Sequence, residues 1–284
     1  MSSTLALGAS AGTGDARRLA MLVEYDGRAF HGFQAQRNAC SVQGTLEEAI
    51  RRLTGESARV RGAGRTDAGV HALGQVIAFD THSSHSPDVF LQALNHHLPD
   101  DVAVREVCEV SPDFDPRRWA VGREYRYRVL NSPAPSPVLR GLVHHVRQPL
   151  DAEAMNRAAS LLEGEMNFAP FAASMPEGRS GTRRIVYRCS VTRRGDLVLL
   201  DMEANGFLRQ QLRRTAGALL EVGLGRMDVD GFRSLAESGR LGAAELTLPA
   251  AGLTLMRVNY ITPLFRSQDA ANKREAELLE ARAR

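Results

Sequence analysis

Apolar positions recur along this chain with two periods, and the switches between them outline its elements. Residues 19–24 form a short apolar run closed by Asp26-Gly27, which predicts a strand entering a turn. Val42, Leu46, Ala49, Ile50 and Leu53 then return at helical spacing, with Ser41 placed as an N-cap and Gly55 as a C-cap. Residues 58–62 predict a strand running into a glycine-rich loop, and residues 73–80 predict another strand. Phe90, Leu91, Leu94 and Leu98 predict a second helix stopped by Pro99, and residues 102–110 alternate again as a strand. Pro112 and Pro116 mark a boundary within residues 111–120.

Beyond that boundary, residues 121–130 read as a strand. Val121, Arg123, Tyr125, Tyr127 and Val129 share one face, and Glu124, Arg126 and Arg128 share the other. Pro133, Pro135 and Pro137 make a loop, and Asp151 caps a helix carrying Met155, Ala158, Ala159 and Leu162 that Gly164 is expected to end. Residues 185–193 and 197–204 are expected to pair as a hairpin about Gly195-Asp196. Residues 207–221 predict a helix, and residues 253–260 a last strand. Strands and helices that alternate irregularly, with hairpins, predict an α+β fold with largely antiparallel sheet, not a doubly wound parallel one. Both halves share a rough strand–helix–strand–strand order, as an internal duplication would give, without a short sequence repeat. The expected organisation is a disordered extension at 1–16, an N-terminal α/β domain at 17–111 carrying the glycine-rich loop, a C-terminal α/β domain at 112–266, and a charged tail at 267–284.

Composition narrows the function classes. The 284 residues are 43% hydrophobic and 24% charged, enough apolar material for a packed core and an ordinary globular share of charge. Net charge is only +3, but the basic residues are almost all arginine, Lys273 being the sole lysine, and they cluster at 51–52, 117–118, 123–128, 183–184, 193–194 and 213–214. Arginine's planar fork suits phosphate contacts and stacking on bases. Cys40, Cys108 and Cys189 are odd in number and far apart, which argues against a disulfide framework or a structural zinc and fits a reducing, cytoplasmic compartment. No signal peptide or membrane span is expected.

The segment with most chemical content is Gly62-Ala63-Gly64-Arg65-Thr66-Asp67-Ala68-Gly69-Val70-His71-Ala72. Its third glycine comes too late for a dinucleotide fingerprint, and it lacks the Lys-Ser/Thr ending of a phosphate loop. Its glycines let the backbone turn sharply, and between them stand a cation, a hydroxyl and a carboxylate. Taken alone, Asp67 has a competing role as a turn-capping carboxylate, and His71 reads as a hydrogen-bonded structural residue. The run Arg123-Glu124-Tyr125-Arg126-Tyr127-Arg128 offers either stacking faces with phosphate contacts, or a buried tyrosine face backed by a solvated arginine face.

Taken in order, these motifs resemble the tRNA pseudouridine synthase A (TruA) family. The resemblance runs through Tyr25-Asp26-Gly27, Phe30-His31-Gly32-Phe33-Gln34, Ser41-Val42-Gln43-Gly44 and Gly64-Arg65-Thr66-Asp67-Ala68-Gly69-Val70-His71-Ala72. It continues through Leu98-Pro99, Tyr125-Arg126-Tyr127, Phe207-Leu208, Arg213, Gly217 and Gly252-Leu253, covering roughly residues 19–262. The resemblance implies a two-domain pseudouridine synthase fold, with an extended, mainly antiparallel mixed sheet flanked by helices and a central cleft. It implies a homodimer that needs no metal or organic cofactor and isomerises uridine at tRNA positions 38, 39 and 40, in the anticodon stem-loop. Carried over, Asp67 is the catalytic carboxylate. Arg65 helps extrude the target nucleotide, Tyr125 stacks on the flipped uracil, Arg213 orients Asp67, and Leu253 completes the apolar wall, with Thr66 and His71 among the substrate contacts. Three segments depart from the family pattern: Phe114-Asp115-Pro116-Arg117, Gly164-Glu165-Met166-Asn167-Phe168 and Gln211-Leu212-Arg213-Arg214. The rival reading is an RNA-binding paralogue on the same fold without catalysis.

Overall fold

The structure, a computed structural model, describes residues 15–174 and 181–266. The tail expected at 267–284 and nearly all of the extension expected at 1–16 lie outside them. One sheet runs through both halves of the chain. Its strands are β1 (Arg17–Tyr25), β2 (Arg61–Gly62), β3 (His71–Thr81), β4 (Val102–Val110), β5 (Ala120–Asn131), β6 (His144–Val146), β7 (Gly164–Asn167), β8 (Arg183–Arg194), β9 (Leu197–Ala204) and β10 (Leu253–Tyr260). The order is β4-β1-β3-β10-β5-β9-β8-β7, with β2 added on β3 and β6 on β5. Pairing is antiparallel except between β3 and β10 and between β5 and β6, so the fold is the α+β, mainly antiparallel mixed sheet expected from the sequence.

Among the described residues, five α-helices flank it: α1 (Val42–Thr54), α2 (Pro87–His97), α3 (Ala152–Ser160), α4 (Gln211–Gly223) and α5 (Val229–Glu237). The signals that announced α1 operate as read. Ser41 Oγ accepts from the Gly44 N–H at 3.2 Å, and Gly55 takes the left-handed conformation at the C-terminus. Val42, Leu46, Ala49 and Ile50 form its buried stripe. Each large side chain withdrawn from water this way contributes roughly 1.5–3 kcal/mol.

β10 is the strand that assembles the site. It returns from the far end of the chain to pair with β3 at Thr254↔His71 and Leu255↔Ala72, and on its other edge with β5 at Leu253↔Tyr127 and Leu255↔Tyr125. A Cβ on Gly74 would fall 2.4 Å from the Met256 carbonyl oxygen, so glycine is required for β3 to approach β10 this closely. The loop entering β3 and the tyrosines of β5 are thus held one strand apart, although they are remote in sequence.

Several expectations need correcting. The helix expected over 207–221 starts only at Gln211, because Gln210 is left-handed (φ 58°) and breaks the run. The third helix stops at Ser160, and Gly164 opens β7 with φ 96° instead of ending the helix. The strand expected at 58–62 pairs only over Arg61–Gly62. Helix α5 was not anticipated, although Asp228 announces it by accepting from the Gly231 N–H at 2.7 Å. On β5 neither reading of the arginines holds: Arg126 and Arg128 are buried, not solvated or free for phosphate. Arg126 lies directly across from Asp201 on β9 and binds it with two contacts, Nε–Oδ1 at 2.7 Å and Nη2–Oδ2 at 3.1 Å. Arg128 donates to Thr254 Oγ1 at 2.7 Å.

Candidate active site

The loop between β2 and β3 is fixed by bonds to its backbone and inward side chains. Ala63 N–H donates to the Val76 carbonyl at 2.8 Å, and the Ala63 carbonyl accepts from Arg123 Nη2 at 3.0 Å. Gln75, fully buried on β3, accepts from the Gly64 N–H at 3.2 Å and donates to the Gly64 carbonyl at 2.8 Å. The Phe33 N–H donates to the Thr66 carbonyl at 3.1 Å, and the Gly69 N–H to the Phe30 carbonyl at 3.3 Å. Gly32 (φ 95°) makes that clamp: a Cβ there would stand 2.8 Å from the Thr66 oxygen. Asp67 accepts through its carbonyl from the Val70 N–H at 3.1 Å, so its turn is closed by backbone and its carboxylate is released from the capping role.

That carboxylate meets Arg213 of α4, with Nη1 3.5 Å from Oδ2; the arginine is largely covered and the carboxylate partly exposed (side chains 16% and 36% exposed). Arg213 is aimed by its own backbone and by the segment before β10. Its Nε donates to the Leu248 carbonyl at 2.8 Å, and its carbonyl accepts from the Leu248 N–H at 3.2 Å. Tyr125, on β5, is buried, and its ring meets Phe207 edge-on with centroids 5.1 Å apart. Burial pushes the Tyr125 hydroxyl far above its ordinary value; nearby Tyr25 and Asp67 push the same way, against Arg123. The phenol therefore stays neutral throughout the ordinary pH range. Leu253, also buried, opens β10 two residues before the partner of Tyr125.

Asp67, Arg213 and Tyr125 are therefore gathered around one place, with Leu253 on the strand next to Tyr125. Arg65 lies beside it: exposed, on the same loop, at the edge of an open trough of about 630 Å³. Arg59, Arg61, Arg117 and Arg118 also line that trough, with Asp115 as its one carboxylate; Asp67 itself does not line it.

Two expected contacts face elsewhere. Thr66 is buried and its hydroxyl pairs with Tyr25 Oη at 2.8 Å, inside the core. His71 is also buried. Its Nδ1 accepts from the Gly27 N–H at 3.2 Å, which leaves Nε2 to donate to the Gly141 carbonyl at 3.0 Å. Desolvation lowers the His71 pKa despite Asp26 Oδ1 at 3.3 Å, so the neutral ring fits better than an ion pair. Neither ring nitrogen is left for a substrate. The position that sequence reasoning missed is Gln75; Arg123 and Phe207 stand within the motifs read from the sequence, without a place beside Asp67. A lone amide in the apolar run of β3 was the available sign for Gln75; Phe207 had been read as part of a helix.

The departing segments have structural work of their own. Asp115 Oδ1 accepts from the N–H groups of Arg117 and Arg118, at 2.9 Å each, and so builds the turn that presents both arginines. Asn167 Oδ1 accepts from the Ala169 N–H at 3.0 Å, and Arg214 Nη1 donates to the Ala244 carbonyl at 2.7 Å.

Comparison with known proteins places the chain in a family. A family model described as tRNA pseudouridine synthase matches residues 21–117 and 158–261. The tRNA pseudouridine synthase A of Acetivibrio thermocellus is 43% identical over 244 residues, which cover 86% of this chain and 100% of that protein. That of Roseiflexus castenholzii is 45% identical over 248 residues, covering 86% and 91%. That of Pelobacter propionicus is 41% identical over 244 residues, covering 86% and 100%. With that family model matching more than half of the chain and these relatives covered over nearly their whole length, the chain belongs to the tRNA pseudouridine synthase A family.

Proposed function

We propose that the protein isomerises uridine to pseudouridine in tRNA, at positions 38, 39 and 40 of the anticodon stem-loop, with Asp67 as the catalytic carboxylate. The observation that carries the reading is the carboxylate on a backbone-closed loop, 3.5 Å from an arginine supplied by the other half of the chain. The reaction breaks the N1–C1′ bond, turns the base and joins C5 to C1′. N1 gains a proton and C5 loses one, so there is no net oxidation and no redox cofactor is called for. Asp67 either attacks C1′ or removes the C2′ proton to give a glycal; both routes use a carboxylate held beside a cation.

The target base must leave its stack, at a cost of a few kcal/mol. Tyr125 supplies an aromatic contact that offsets part of this, Leu253 the apolar wall, and Arg65 a cation at the site mouth. The arginines of the adjoining trough supply phosphate contacts. The two halves of the chain, 17–111 and 112–266, act as two domains with the site between them. We also propose a homodimer working in the cytoplasm; among the described residues no helix is long and apolar enough to cross a membrane.

The test is tritium release from [5-³H]uridine-labelled tRNA by the wild type and by Asp67→Asn, with the product sites mapped by carbodiimide primer extension. Release by the wild type alone, mapped to the anticodon stem-loop, is expected. No release from any tRNA by wild-type protein that still binds it would favour a non-catalytic RNA binder.

A further inference from the structure

Two side chains buried behind the catalytic loop have no role in the chemistry described so far. Gln75 has no exposed surface, and Tyr25 is almost as deeply buried. A buried amide stabilises a fold only when its groups are paired, and an apolar residue of the same shape would pack here without that demand. The pairing that Gln75 makes is specific. Its Oε1 accepts from the Gly64 N–H at 3.2 Å, which fixes which end of the amide is nitrogen. Its Nε2 then donates to the Gly64 carbonyl at 2.8 Å and to Tyr25 Oη at 3.4 Å. The Tyr25 hydroxyl, with its proton, is in turn hydrogen-bonded to the Thr66 hydroxyl at 2.8 Å. Burial pushes the Tyr25 hydroxyl up to about 12, so that proton is retained at working pH.

The chain of bonds therefore runs from β3 through β1 to the loop, and grips the residues on both sides of Arg65. Gly64 is held through its backbone, and Thr66, immediately before Asp67, through its side chain. We propose that Gln75 and Tyr25 are positioning residues for catalysis: they set the angle at which the loop offers Asp67 to the ribose and Arg65 to the site mouth. This inference rests on Asp67 being the catalytic carboxylate. The physical reason for an effect on rate is geometric. Misplacing a reacting group by about 1 Å can cost on the order of 100-fold in rate while leaving distant binding contacts intact.

The experiment measures single-turnover tritium release, tRNA Kd and thermal unfolding for Tyr25→Phe, Gln75→Met, Thr66→Val and Thr66→Ser, with rates normalised to the folded fraction. Tyr25→Phe keeps the ring in the core and removes only the hydroxyl, so it stays informative should Gln75→Met fail to fold. The expected result is a rate loss of about 10-fold in Tyr25→Phe and about 100-fold in Gln75→Met, with Kd within about 2-fold of wild type. Thr66→Val should fall as far as Tyr25→Phe, Thr66→Ser should restore most of that loss, and Tyr25→Phe/Thr66→Val should lose no more than either alone. Wild-type rates in the folded fraction of Tyr25→Phe and Gln75→Met would overturn the proposal and leave a purely structural network. So would equal losses in Thr66→Ser and Thr66→Val. Asp67→Asn in the same assay separates the two readings: its turnover would remove the catalytic carboxylate, whereas an inactive Asp67→Asn beside fully active Tyr25→Phe would remove only the positioning role.

Discussion

The arginines of β5 and those around the open trough beside Arg65 carry the same charge under opposite conditions. Arg123, Arg126 and Arg128 are each at most 8% exposed. Arg123 spends its guanidinium on carbonyl oxygens of Ala63, Arg117, Ala120 and Asn205, and Arg126 faces Asp201 across the strand pair. Arg65, Arg117 and Arg118 are exposed on the trough instead. The buried set fastens the Asp67 loop and the strands to one another; the exposed set stands on the trough wall, at the surface. A buried guanidinium persists only where its donors are satisfied, and an exposed one binds phosphate because its counterions are easily displaced.

The sharpest way to break this comparison is to remove the partner of a buried arginine. Asp201→Ala removes the carboxylate that faces Arg126 inside the sheet, and should lower stability by about 3–5 kcal/mol. Urea denaturation measures it. The double variant Arg126→Met/Asp201→Leu should recover much of the loss, because it removes both desolvated charges together. A loss below about 1 kcal/mol in Asp201→Ala would mean that Arg126 reaches water, as the exposed set does.

Arg213 stands between the two sets: largely buried, yet directed at a functional carboxylate. Replacing it by Ala should reduce turnover by about 10- to 100-fold, with a smaller change in tRNA affinity, since its contact is to Asp67 and not to the trough. Arg213→Lys should recover part of the rate, because the charge returns without the fixed fork that binds the Leu248 carbonyl. Matching kinetics and affinity measurements decide it; a change confined to affinity would place Arg213 with the phosphate-binding set.

These arginines also show where sequence alone stops. Residues 121–130 are legible as a strand from alternation, and the ordered Gly-Arg-Thr-Asp motif marks the loop. Whether a strand arginine is solvated depends on what lies across from it, and Asp201 is 75 residues away from Arg126. For the same reason Thr66 and His71 look like site residues from within the motif, but their partners, Tyr25 on β1 and Gly141 in a distant loop, turn them inward. Arg213, by contrast, reads alone as ordinary helix charge, and only the family pattern connects it with Asp67. Local periodicity reports which face an element presents; it carries no information about the partner that completes a buried charge or a buried imidazole.

His71 turns the same contrast into a pH effect. Its pKa is depressed in the folded state, chiefly by desolvation, so the unfolded chain binds the extra proton first. The stability associated with the neutral ring is present above the unfolded value of about 6.5 and is lost as pH falls below it. His144, depressed by burial and by His145, titrates with the same sign. His71→Asn should be less stable than wild type at pH 8 and should lose less further stability on acidification to pH 5.5. Thermal unfolding across that range tests it; parallel pH profiles for the two proteins would show that a solvated, ordinary histidine occupies this position.

The smallest effect separates the two sets most directly. A protein that neutralises phosphates releases their counterions, so each phosphate contact adds about 0.9 to the slope of log affinity against log salt. Arg118→Ala removes one exposed trough cation without touching the Asp115 turn, which accepts from the Arg118 backbone N–H. It should weaken tRNA binding several-fold at low salt and flatten the slope by about 1, with turnover of bound tRNA unchanged. Arg128→Met should leave the slope as it is, because that guanidinium is directed to Thr254 inside the sheet, and should show its cost in unfolding instead. Equal slopes for Arg118→Ala and wild type would take the trough out of the RNA path; a flattened slope for Arg128→Met would mean that β5 opens to reach the backbone of the substrate.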